Sequence, residues 1–310
     1  MRILLAMNGD AGLSRWIEAF RKALPEAEVS TWQADGPALG ADVAIVWHPP
    51  AELFVRETGL RAVFNLGAGV DGLLKIPTLP STLPVIRLED AGMTVQMAEY
   101  ALHALWEASR SFASYRQAQG EHEWRMLPVT RRHEWPVGVL GMGKVGARVA
   151  QAVAEFEYPV AGWSRGGHGL PGIEDFAGAQ ALDAFLARTR VLINALPLTP
   201  DTRDILNRDT FAKLLPGAYV VNVGRGEHLV EEDLLAALAS GHVAGATLDV
   251  FRTEPLPQEH PFWSHPAITI TPHTAARTLR TESVKQIADK IRQLAKGESV
   301  SGVVDRPRGY

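Results

Sequence analysis

Short runs of β-branched and other apolar residues alternate along the chain with longer stretches in which apolar residues recur at helical spacing. This alternation is typical of a parallel sheet whose strands are joined by helices that cover its faces. The strands predicted in the first third are RILLAM (2–7), VSTW (29–32), DVAIVW (42–47), RAVFNL (61–66) and PVIRL (84–88). A second series comprises VGVLG (137–141), VAGWS (160–164), VLINALP (191–197), AYVVNVG (218–224), AGATLDV (244–250) and AITITP (267–272).

Helical patterns lie between most of these strands. SRWIEAFRKAL (14–24) separates the first two strands, and residues 94–118 contain no proline or glycine, which predicts one long helical stretch. A helix is predicted to open at Val230, because three acidic residues then occupy its first turn, where the helix dipole favours negative charge. The last helix, within residues 281–297, ends at a C-capping Gly297. Its apolar stripe consists of Val284, Ile287, Ile291 and Leu294.

Two α/β lobes follow from this pattern, each Rossmann-like or flavodoxin-like, with a parallel sheet covered by helices. The polar segment 119–136, which contains two tryptophans, separates the two strand series. The last helix is expected to return to the first lobe. We therefore predict a substrate-binding domain of residues 1–98 and 276–310. A dinucleotide-binding domain of residues 99–275 is inserted into it.

Composition narrows the classes of function. A length of 310 residues allows two domains, and a net charge of −4 argues against a nucleic-acid-binding protein, which would carry a basic face. No apolar run approaches the roughly 20 residues that span a bilayer. With no cysteine, a disulfide, a thiolate zinc site and a cysteine nucleophile are excluded. We expect a cytoplasmic protein with neither a nucleic-acid nor a membrane partner.

A glycine-rich turn marks a candidate cofactor loop. Gly141, Gly143 and Gly146 form G-x-G-x-x-G directly after a predicted strand and at the start of a predicted helix. This is the context in which the motif indicates dinucleotide binding: the first glycine allows the tight turn, the second admits the pyrophosphate, and the third allows close helix packing. The alternative, a strand-to-helix turn that is glycine-rich by chance, leaves this combination unexplained.

The next strand bears on cofactor preference. An NAD site usually carries an acidic residue about 20 residues after the glycines, where this chain has Ser164 and Arg165, and the next carboxylate is Glu174. A hydroxyl and a guanidinium suit a 2′-phosphate, so we predict a preference for NADP(H), with NAD(H) possible. The alternative is that Arg165 is a solvated turn residue.

Ionisable residues follow three later strands: Arg225 in NVGRG, Asp249 and Glu254 in LDVFRTEP, and His273 in ITPHTAA. Hydride transfer to a 2-oxo acid needs a cation that binds the carboxylate, an acid that protonates the ketone oxygen, and a carboxylate that keeps this acid protonated. Arginine, histidine and glutamate suit these three roles. Each residue alone also has a simpler interpretation as a surface ion pair, a capped imidazole or a solvated loop residue.

Other kinds of site find less support. His260, His265 and His273 are separated by prolines that prevent any one helix from presenting them to a metal, so no metal site is predicted. No G-x-S-x-G elbow indicates a hydrolase.

Five long motifs resemble the D-2-hydroxyacid dehydrogenase family over essentially the whole chain: VLGMGKVGARVA, LINALPLTPDTRDILN, LLPGAYVVNVGRGEHLVEEDLLAAL, GATLDVFRTEPLP and ITPHTAA. Within that family the chain resembles the glyoxylate/hydroxypyruvate reductase A branch. The marks of this branch are VWHPPAELF, LGAGVDGLL, RLEDAGMTVQMAEYAL, GWSR and VDRPRGY.

The resemblance implies reduction of small 2-oxo acids by NADPH, glyoxylate to glycolate and hydroxypyruvate to glycerate. It assigns substrate binding to Arg225, proton donation to His273 and the orientation and charging of His273 to Glu254. Asp249 is expected near the nicotinamide. The implied cofactor-binding residues are Gly141, Met142, Gly143, Lys144, Val145, Gly146, Ser164, Arg165, Leu196, Pro197, Thr202, Val223, Gly224, Arg225, Asp249, His273 and Ala275.

The implied substrate-binding residues also include part of the first lobe. Leu66, Gly67, Ala68 and Gly69 would present backbone N–H groups to the substrate carboxylate, and Trp47 would wall the pocket. Without the resemblance these are an ordinary turn and a residue at a strand end. Trp124 would reach the partner's pocket across a homodimer, or it anchors a structural arm.

Two alternatives to this function remain open. One keeps the chemistry and changes the substrate to a bulkier, phenylpyruvate-like acid, because pocket volume is not readable from the sequence. The other is a non-catalytic dinucleotide-sensing protein on the same fold, like the C-terminal-binding-protein corepressors. The latter would carry docking features or tails, which the sequence does not show.

Overall fold

The computed structural model describes residues 1–7 and 12–310, which form two compact units. One unit comprises Met1–Gly92 with Thr278–Tyr310, and the other comprises Met93–Arg277. The first predicted boundary, between residues 98 and 99, falls inside the helix Met93–Ser109, whereas the structure divides the chain where that helix begins. The second predicted boundary, between residues 275 and 276, lies just before the division in the structure.

The regular elements follow the predicted alternation of strands and helices. The strands are β1 (Arg2–Met7), β2 (Glu28–Thr31), β3 (Val43–Trp47), β4 (Ala62–Asn65), β5 (Val85–Ile86), β6 (Val137–Leu140), β7 (Val160–Ser164), β8 (Glu174–Ala177), β9 (Val191–Asn194), β10 (Ala218–Asn222), β11 (Val243–Leu248) and β12 (Ile268–Ile270). The α-helices are α1 (Leu13–Ala23), α2 (Glu52–Arg56), α3 (Asp71–Leu74), α4 (Met93–Ser109), α5 (Phe112–Gly120), α6 (Lys144–Glu155), α7 (Leu182–Ala187), α8 (Arg208–Lys213), α9 (Glu231–Ala239) and α10 (Arg280–Ala295).

The first unit is built on a parallel sheet of order β2-β1-β3-β4-β5, the flavodoxin-like order. A hydrophobic cluster against this sheet includes Leu4, Ala44, Val46 and Val63 of the strands and Leu53 of α2. Helix α10 packs against α1 in this unit, as predicted, and Val284, Ile287 and Ile291 of the predicted stripe are buried.

The second unit contains a parallel sheet of order β12-β11-β10-β9-β6-β7-β8. Strand order runs outward in opposite directions from the neighbours β6 and β9, which creates a topological switch point, where such sheets bind ligands. Helices α4 and α6 cover one face through residues such as Leu105 and Val153. The other face buries Phe185, Phe211 and Leu234 from α7, α8 and α9. The predicted fold class is confirmed in both units.

One local prediction was wrong, and one strand was missed. The predicted continuous helix over residues 94–118 is interrupted at Ser111, whose left-handed backbone (φ 53°) ends α4 before α5 begins. The hydroxyl of Thr130 donates to the Ser109 carbonyl and satisfies a group that the last turn of α4 leaves unpaired. Strand β8 was not predicted, because its sequence EDFA is acidic and mostly exposed at the edge of the sheet. Within the described residues, no helix has both the length and the apolar character needed to cross a membrane.

Candidate active site

The candidate residues of the second unit follow the carboxyl ends of neighbouring parallel strands. Gly141 follows β6, Ser164 ends β7 and Leu196 comes two residues after β9. Arg225 comes after β10 and His273 after β12. Because all these strands are parallel, the side chains lie at the same edge of the sheet. This edge includes the switch point between β6 and β9.

The three glycines of the G-x-G-x-x-G turn each have a distinct geometric reason. Gly141 adopts a positive φ of 93°, which residues with a Cβ rarely adopt. A Cβ at Gly146 would overlap the carbonyl oxygen of Gly141, so only glycine lets α6 approach the turn this closely. A Cβ at Gly143 would meet no described atom within 4 Å. The turn therefore leaves open space at Gly143, beside the N-terminus of α6, and this fits a bound pyrophosphate.

Met142 and Val145 are the other apolar residues predicted in this loop. The side chain of Met142 is buried and packs against Gly162 of β7, so only its backbone is available to a ligand. Val145 is half-buried, while Lys144 is exposed at the first position of α6.

Ser164 ends β7, the strand next to the glycine turn, and Arg165 directly follows it. The Gly141 N–H of this turn donates to the Trp163 carbonyl at 2.9 Å. The buried Ser164 hydroxyl accepts the Gly167 N–H at 3.1 Å. One carboxylate oxygen of Asp175 on β8 accepts the N–H groups of His168 and Gly169 in the following loop. The Asp175 carboxylate thus accepts hydrogen bonds from the backbone of this loop, and the Arg165 side chain is exposed.

The loop after β9 holds three other predicted residues. The Leu196 N–H donates to Asn194 Oδ1 at 3.2 Å, and the Thr202 hydroxyl donates to the Pro197 carbonyl at 2.7 Å. Val223 and Gly224 follow β10 and are both buried. A Cβ at Gly224 would come within 2.9 Å of the side chains of Asn194 and His228, which explains why glycine precedes the arginine.

Asp249 is buried at the end of β11 and organises the segment that carries His273. Its carboxylate accepts the Thr271 hydroxyl at 2.6 Å and the N–H groups of Thr274 and Ala275 at 2.7 and 2.9 Å. Its carbonyl accepts the His273 N–H at 2.8 Å. His273 itself has a left-handed backbone (φ 53°), a conformation that costs about 1–2 kcal/mol and needs support of this kind.

Glu254 and His273 form an ion pair. Glu254 Oε2 accepts from His273 Nδ1 at 2.8 Å, and Glu254 Oε1 accepts the Phe251 N–H at 2.9 Å. The hydrogen bond to Glu254 raises the pKa of His273 and outweighs partial burial, which acts in the opposite direction. Partial burial acts to raise the pKa of Glu254, but the hydrogen bonds from His273 and Phe251 outweigh it and the pKa is lowered. The pair therefore favours a carboxylate beside an imidazolium.

Arg225 belongs to the same electrostatic group. Its positive charge acts to lower the pKa of both Glu254 and His273. For each residue this effect is weaker than that of the hydrogen bond between Glu254 and His273. The half-buried Arg225 side chain donates from one terminal nitrogen to the Gly224 carbonyl at 2.8 Å. A cation, an acid and a carboxylate thus converge beyond β10, β11 and β12.

The predicted turn of the first unit follows β4. The side-chain amide of Asn65 donates to the carbonyls of Gly67 and Gly69 at 3.0 and 2.8 Å. Within residues 1–7 and 12–310, no acceptor binds the N–H groups of Gly67, Ala68 and Gly69, an arrangement suited to an anion. A Cβ at Gly67 would overlap the half-buried ring of Trp47, and buried Leu66 precedes this turn.

Comparison with known families decides the class of protein. Residues 102–275 match the family model described as D-isomer specific 2-hydroxyacid dehydrogenase, NAD binding domain. The chain belongs to this dehydrogenase family. It is therefore an oxidoreductase with a dinucleotide-binding domain, and the resemblance noted in the sequence is confirmed.

Solved structures of the family are similar over the full length of the chain. A D-isomer specific 2-hydroxyacid dehydrogenase from Xanthobacter autotrophicus Py2, in complex with NADPH and MES, is 38% identical over 99% of both chains, with a TM-score of 0.93. The NADPH-dependent glyoxylate/hydroxypyruvate reductase from Sinorhizobium meliloti, in complex with NADP and sulfate, is 36% identical over 100% of this chain and 99% of its own, with a TM-score of 0.93. A probable 2-hydroxyacid dehydrogenase from Rhizobium etli CFN 42, in complex with NADP, HEPES and L(+)-tartaric acid, is 30% identical over 100% of this chain and 99% of its own, with a TM-score of 0.91.

Several buried polar residues of this dehydrogenase were not predicted from the sequence. His228 is fully buried and hydrogen-bonded to the Arg225 backbone, and Asn194 and Asn222 lie beside it at the ends of β9 and β10. Asn65 supports the turn of the first unit. The available signal was a polar residue at the end of a buried strand. Trp124 is 98% exposed, and its role across a homodimer remains a prediction.

Proposed function

We propose that this dehydrogenase reduces small 2-oxo acids with NADPH, with glyoxylate and hydroxypyruvate as its substrates. The observation that carries the proposal is the contact of 2.8 Å between Glu254 and His273. The positive charge of Arg225 acts on the same pair. The similarity to the glyoxylate/hydroxypyruvate reductase of Sinorhizobium meliloti supports these substrates.

In the proposed reaction, Arg225 binds the carboxylate and ketone oxygen of the substrate through its planar guanidinium. In the first unit, the N–H groups of Gly67, Ala68 and Gly69 and the ring of Trp47 are the further substrate-binding groups of the proposal. When bound, NADPH would supply the hydride. His273 gives its proton from Nε2 to the ketone oxygen, because Nδ1 is bound to Glu254. Each turnover converts one 2-oxo acid, one NADPH and one proton into a 2-hydroxy acid and NADP⁺.

Glu254 favours the protonated state of His273, since its carboxylate raises the pKa of the imidazole. Asp249 holds the backbone that carries this imidazole by accepting N–H groups of the 273–275 segment. The acid is thereby held in one orientation before the substrate binds, which avoids an entropic cost during the reaction.

The preference for NADPH rests on Ser164 and Arg165. The position that carries an acidic residue in NAD sites holds the buried Ser164 here, and the exposed Arg165 follows it. A guanidinium can bind a 2′-phosphate through charge-assisted hydrogen bonds. The NADPH and NADP complexes of the relatives from Xanthobacter autotrophicus Py2 and Sinorhizobium meliloti support this assignment.

The test is a matched set of assays that follow nicotinamide absorbance with glyoxylate or hydroxypyruvate, once with NADPH and once with NADH. Faster turnover with NADPH is expected, and His273→Ala should abolish turnover while NADPH still binds. Activity with NADH alone would overturn the cofactor preference and keep the chemistry. Reduction of phenylpyruvate, without reduction of glyoxylate or hydroxypyruvate, would overturn the proposed substrates. Dinucleotide binding without any turnover would instead support a sensing protein.

A further inference from the structure

His228 is a buried histidine with hydrogen bonds on both edges of its ring. It closes the 3₁₀ turn Gly226–His228 directly after Arg225 and is 0% exposed. His228 Nδ1 lies 3.0 Å from the backbone nitrogen of Arg225, and Nε2 lies 3.2 Å from the Pro197 carbonyl oxygen. An amide N–H can only donate and a carbonyl can only accept. Nδ1 is therefore the acceptor, and Nε2 carries the proton.

The two polar atoms of the Arg225 peptide are both held by buried side chains. His228 accepts its N–H, and Asn222 Nδ2 donates to its carbonyl at 3.0 Å. Asn194 Nδ2 donates to Asn222 Oδ1 and to His228 Nδ1, each at 2.9 Å. We call Asn194, Asn222 and His228 the Asn–Asn–His cluster. Because its members are fully buried and bonded to one another, the backbone that carries the Arg225 guanidinium has little freedom to move.

The same cluster holds the loop after β9. Asn194 Oδ1 accepts the Leu196 N–H at 3.2 Å, and His228 Nε2 donates to the Pro197 carbonyl. That carbonyl also accepts the Thr202 hydroxyl at 2.7 Å, so it is bonded both within the loop and to the imidazole. One imidazole thus joins the arginine loop to the Pro197 loop.

We infer that His228 is a positioning residue that couples the substrate-binding arginine to the dinucleotide-binding loop, with Nδ1 holding Arg225 and Nε2 holding Pro197. The inference rests on the proposed function, which assigns the substrate carboxylate to Arg225, and on the predicted contacts of Leu196 and Pro197 with the dinucleotide.

The electrostatics of the cluster agree with a neutral imidazole. Burial lowers the pKa of His228 to about 4; the Pro197 hydrogen bond acts against this shift, and the charges of Arg225 and Glu227 act in opposite directions. A second ring proton on Nδ1 would face the Arg225 N–H, donor against donor. The cluster is therefore built for one protonation state at neutral pH.

The two edges of the ring can be separated by substitution. In His228→Asn the side-chain oxygen occupies the place of Nδ1, which keeps an acceptor for Arg225 and removes the donor to Pro197. In His228→Gln the longer side chain can place an N–H near the position of Nε2, which keeps the donor to Pro197 and removes the nearby acceptor. His242→Gln is the matched control, because His242 Nε2 also donates to a carbonyl, that of Leu214 at 3.1 Å.

Two binding measurements on the whole protein test the inference: NADPH titration by nicotinamide fluorescence, and titration of the NADPH complex with oxalate, a planar dicarboxylate that cannot be reduced. We expect His228→Asn to weaken NADPH binding by about fivefold and to leave oxalate binding within about twofold, as for the loss of one hydrogen bond. His228→Gln should show the opposite split, also visible as a raised KM for hydroxypyruvate. His242→Gln should change neither affinity.

Unchanged affinities in both His228 variants would overturn the inference. Both variants could instead lose affinity for NADPH and oxalate alike, with a lowered Tm. That result would also overturn the inference, because a merely structural residue would not affect the two ligands differently in the two variants. The outcome does not depend on catalysis: a wild-type protein that reduces no 2-oxo acid would defeat the proposed function, while both titrations would still report on His228. Failure of the wild-type NADPH complex to bind oxalate would overturn the Arg225 half of the inference.

Discussion

His273 Nδ1 lies 2.8 Å from Glu254 Oε2, a contact between residues 19 positions apart that raises the pKa of the imidazole. Since reduction needs the protonated ring, kcat/KM for reduction should be high below the His273 pKa and fall as the pH rises through it. In Glu254→Gln the imidazole loses its anionic partner, so this basic limb should move to lower pH. In addition, kcat at neutral pH should fall by about 10².

The pH profile of kcat/KM with hydroxypyruvate measures this shift. Glu231→Gln is the control, because Glu231 lies 3.3 Å from a different histidine, His260. A basic limb that stays in place in Glu254→Gln would show that His273 is not the titrating acid.

Arg225 should be replaceable neither by alanine nor by lysine. Lysine keeps the charge but loses the planar fork that binds a carboxylate and a ketone oxygen together, so we expect kcat/KM to fall by about 10² or more. NADPH affinity, measured by fluorescence titration, should stay nearly intact. Arg208→Ala is the control, since Arg208 forms an exposed ion pair with Asp233. Near wild-type activity in Arg225→Lys would contradict bidentate binding.

Alanine at two glycines of the cofactor turn should give opposite results. A Cβ at Gly143 meets no described atom within 4 Å, so Gly143→Ala should keep its Tm and lose at least about tenfold in NADPH affinity. Gly146→Ala should lower the Tm, because its Cβ would overlap the Gly141 carbonyl. Gly120→Ala, which also meets open space, should leave NADPH affinity unchanged and should not lower the Tm. If Gly143→Ala bound NADPH with wild-type affinity, this result would contradict pyrophosphate binding at this turn.

Arg165 should determine the choice between the two dinucleotides. In Arg165→Gln we expect the KM for NADPH to rise about tenfold or more, as for a lost charge-assisted bond to phosphate, while the KM for NADH changes little. The ratio of kcat/KM for the two cofactors is the measurement. Arg132→Gln serves as the control, because Arg132 forms an exposed ion pair with Glu157. An equal effect on both cofactors would exclude a specific role for Arg165 at the 2′-phosphate.

The buried His228 should make the folded state sensitive to acid. Its pKa is lowered from 6.5 to about 4, so the unfolded chain binds a proton that the folded chain does not bind until the pH falls further. The free energy of unfolding should therefore decrease as the pH falls from 6.5 to 4, by up to about 3 kcal/mol from this residue. Urea unfolding of the wild type and of His228→Asn at several pH values measures it. Identical pH dependence in the two proteins would contradict a buried neutral imidazole.

Most strands and the cofactor turn could be predicted because their signals are local. A run such as AYVVN must be buried on both faces, and a glycine triplet between a strand and a helix restricts the backbone directly. Strand β8 was missed because its residues EDFA depend on pairing with β7 rather than on their own apolar character. The interruption at Ser111 was missed because no proline or glycine marks it.

The sequence by itself determined the alternation of strands and helices, the glycine turn and the types of residue available for catalysis, since these depend on near neighbours in the chain. The tertiary structure alone decided which of those residues meet. Glu254 reaches His273, Asp249 holds the backbone of His273 to Ala275, and His228 joins Arg225 to Pro197. The physical reason is that these contacts join the ends of different parallel strands. Their distances follow from the register and packing of the whole sheet, which no local pattern encodes.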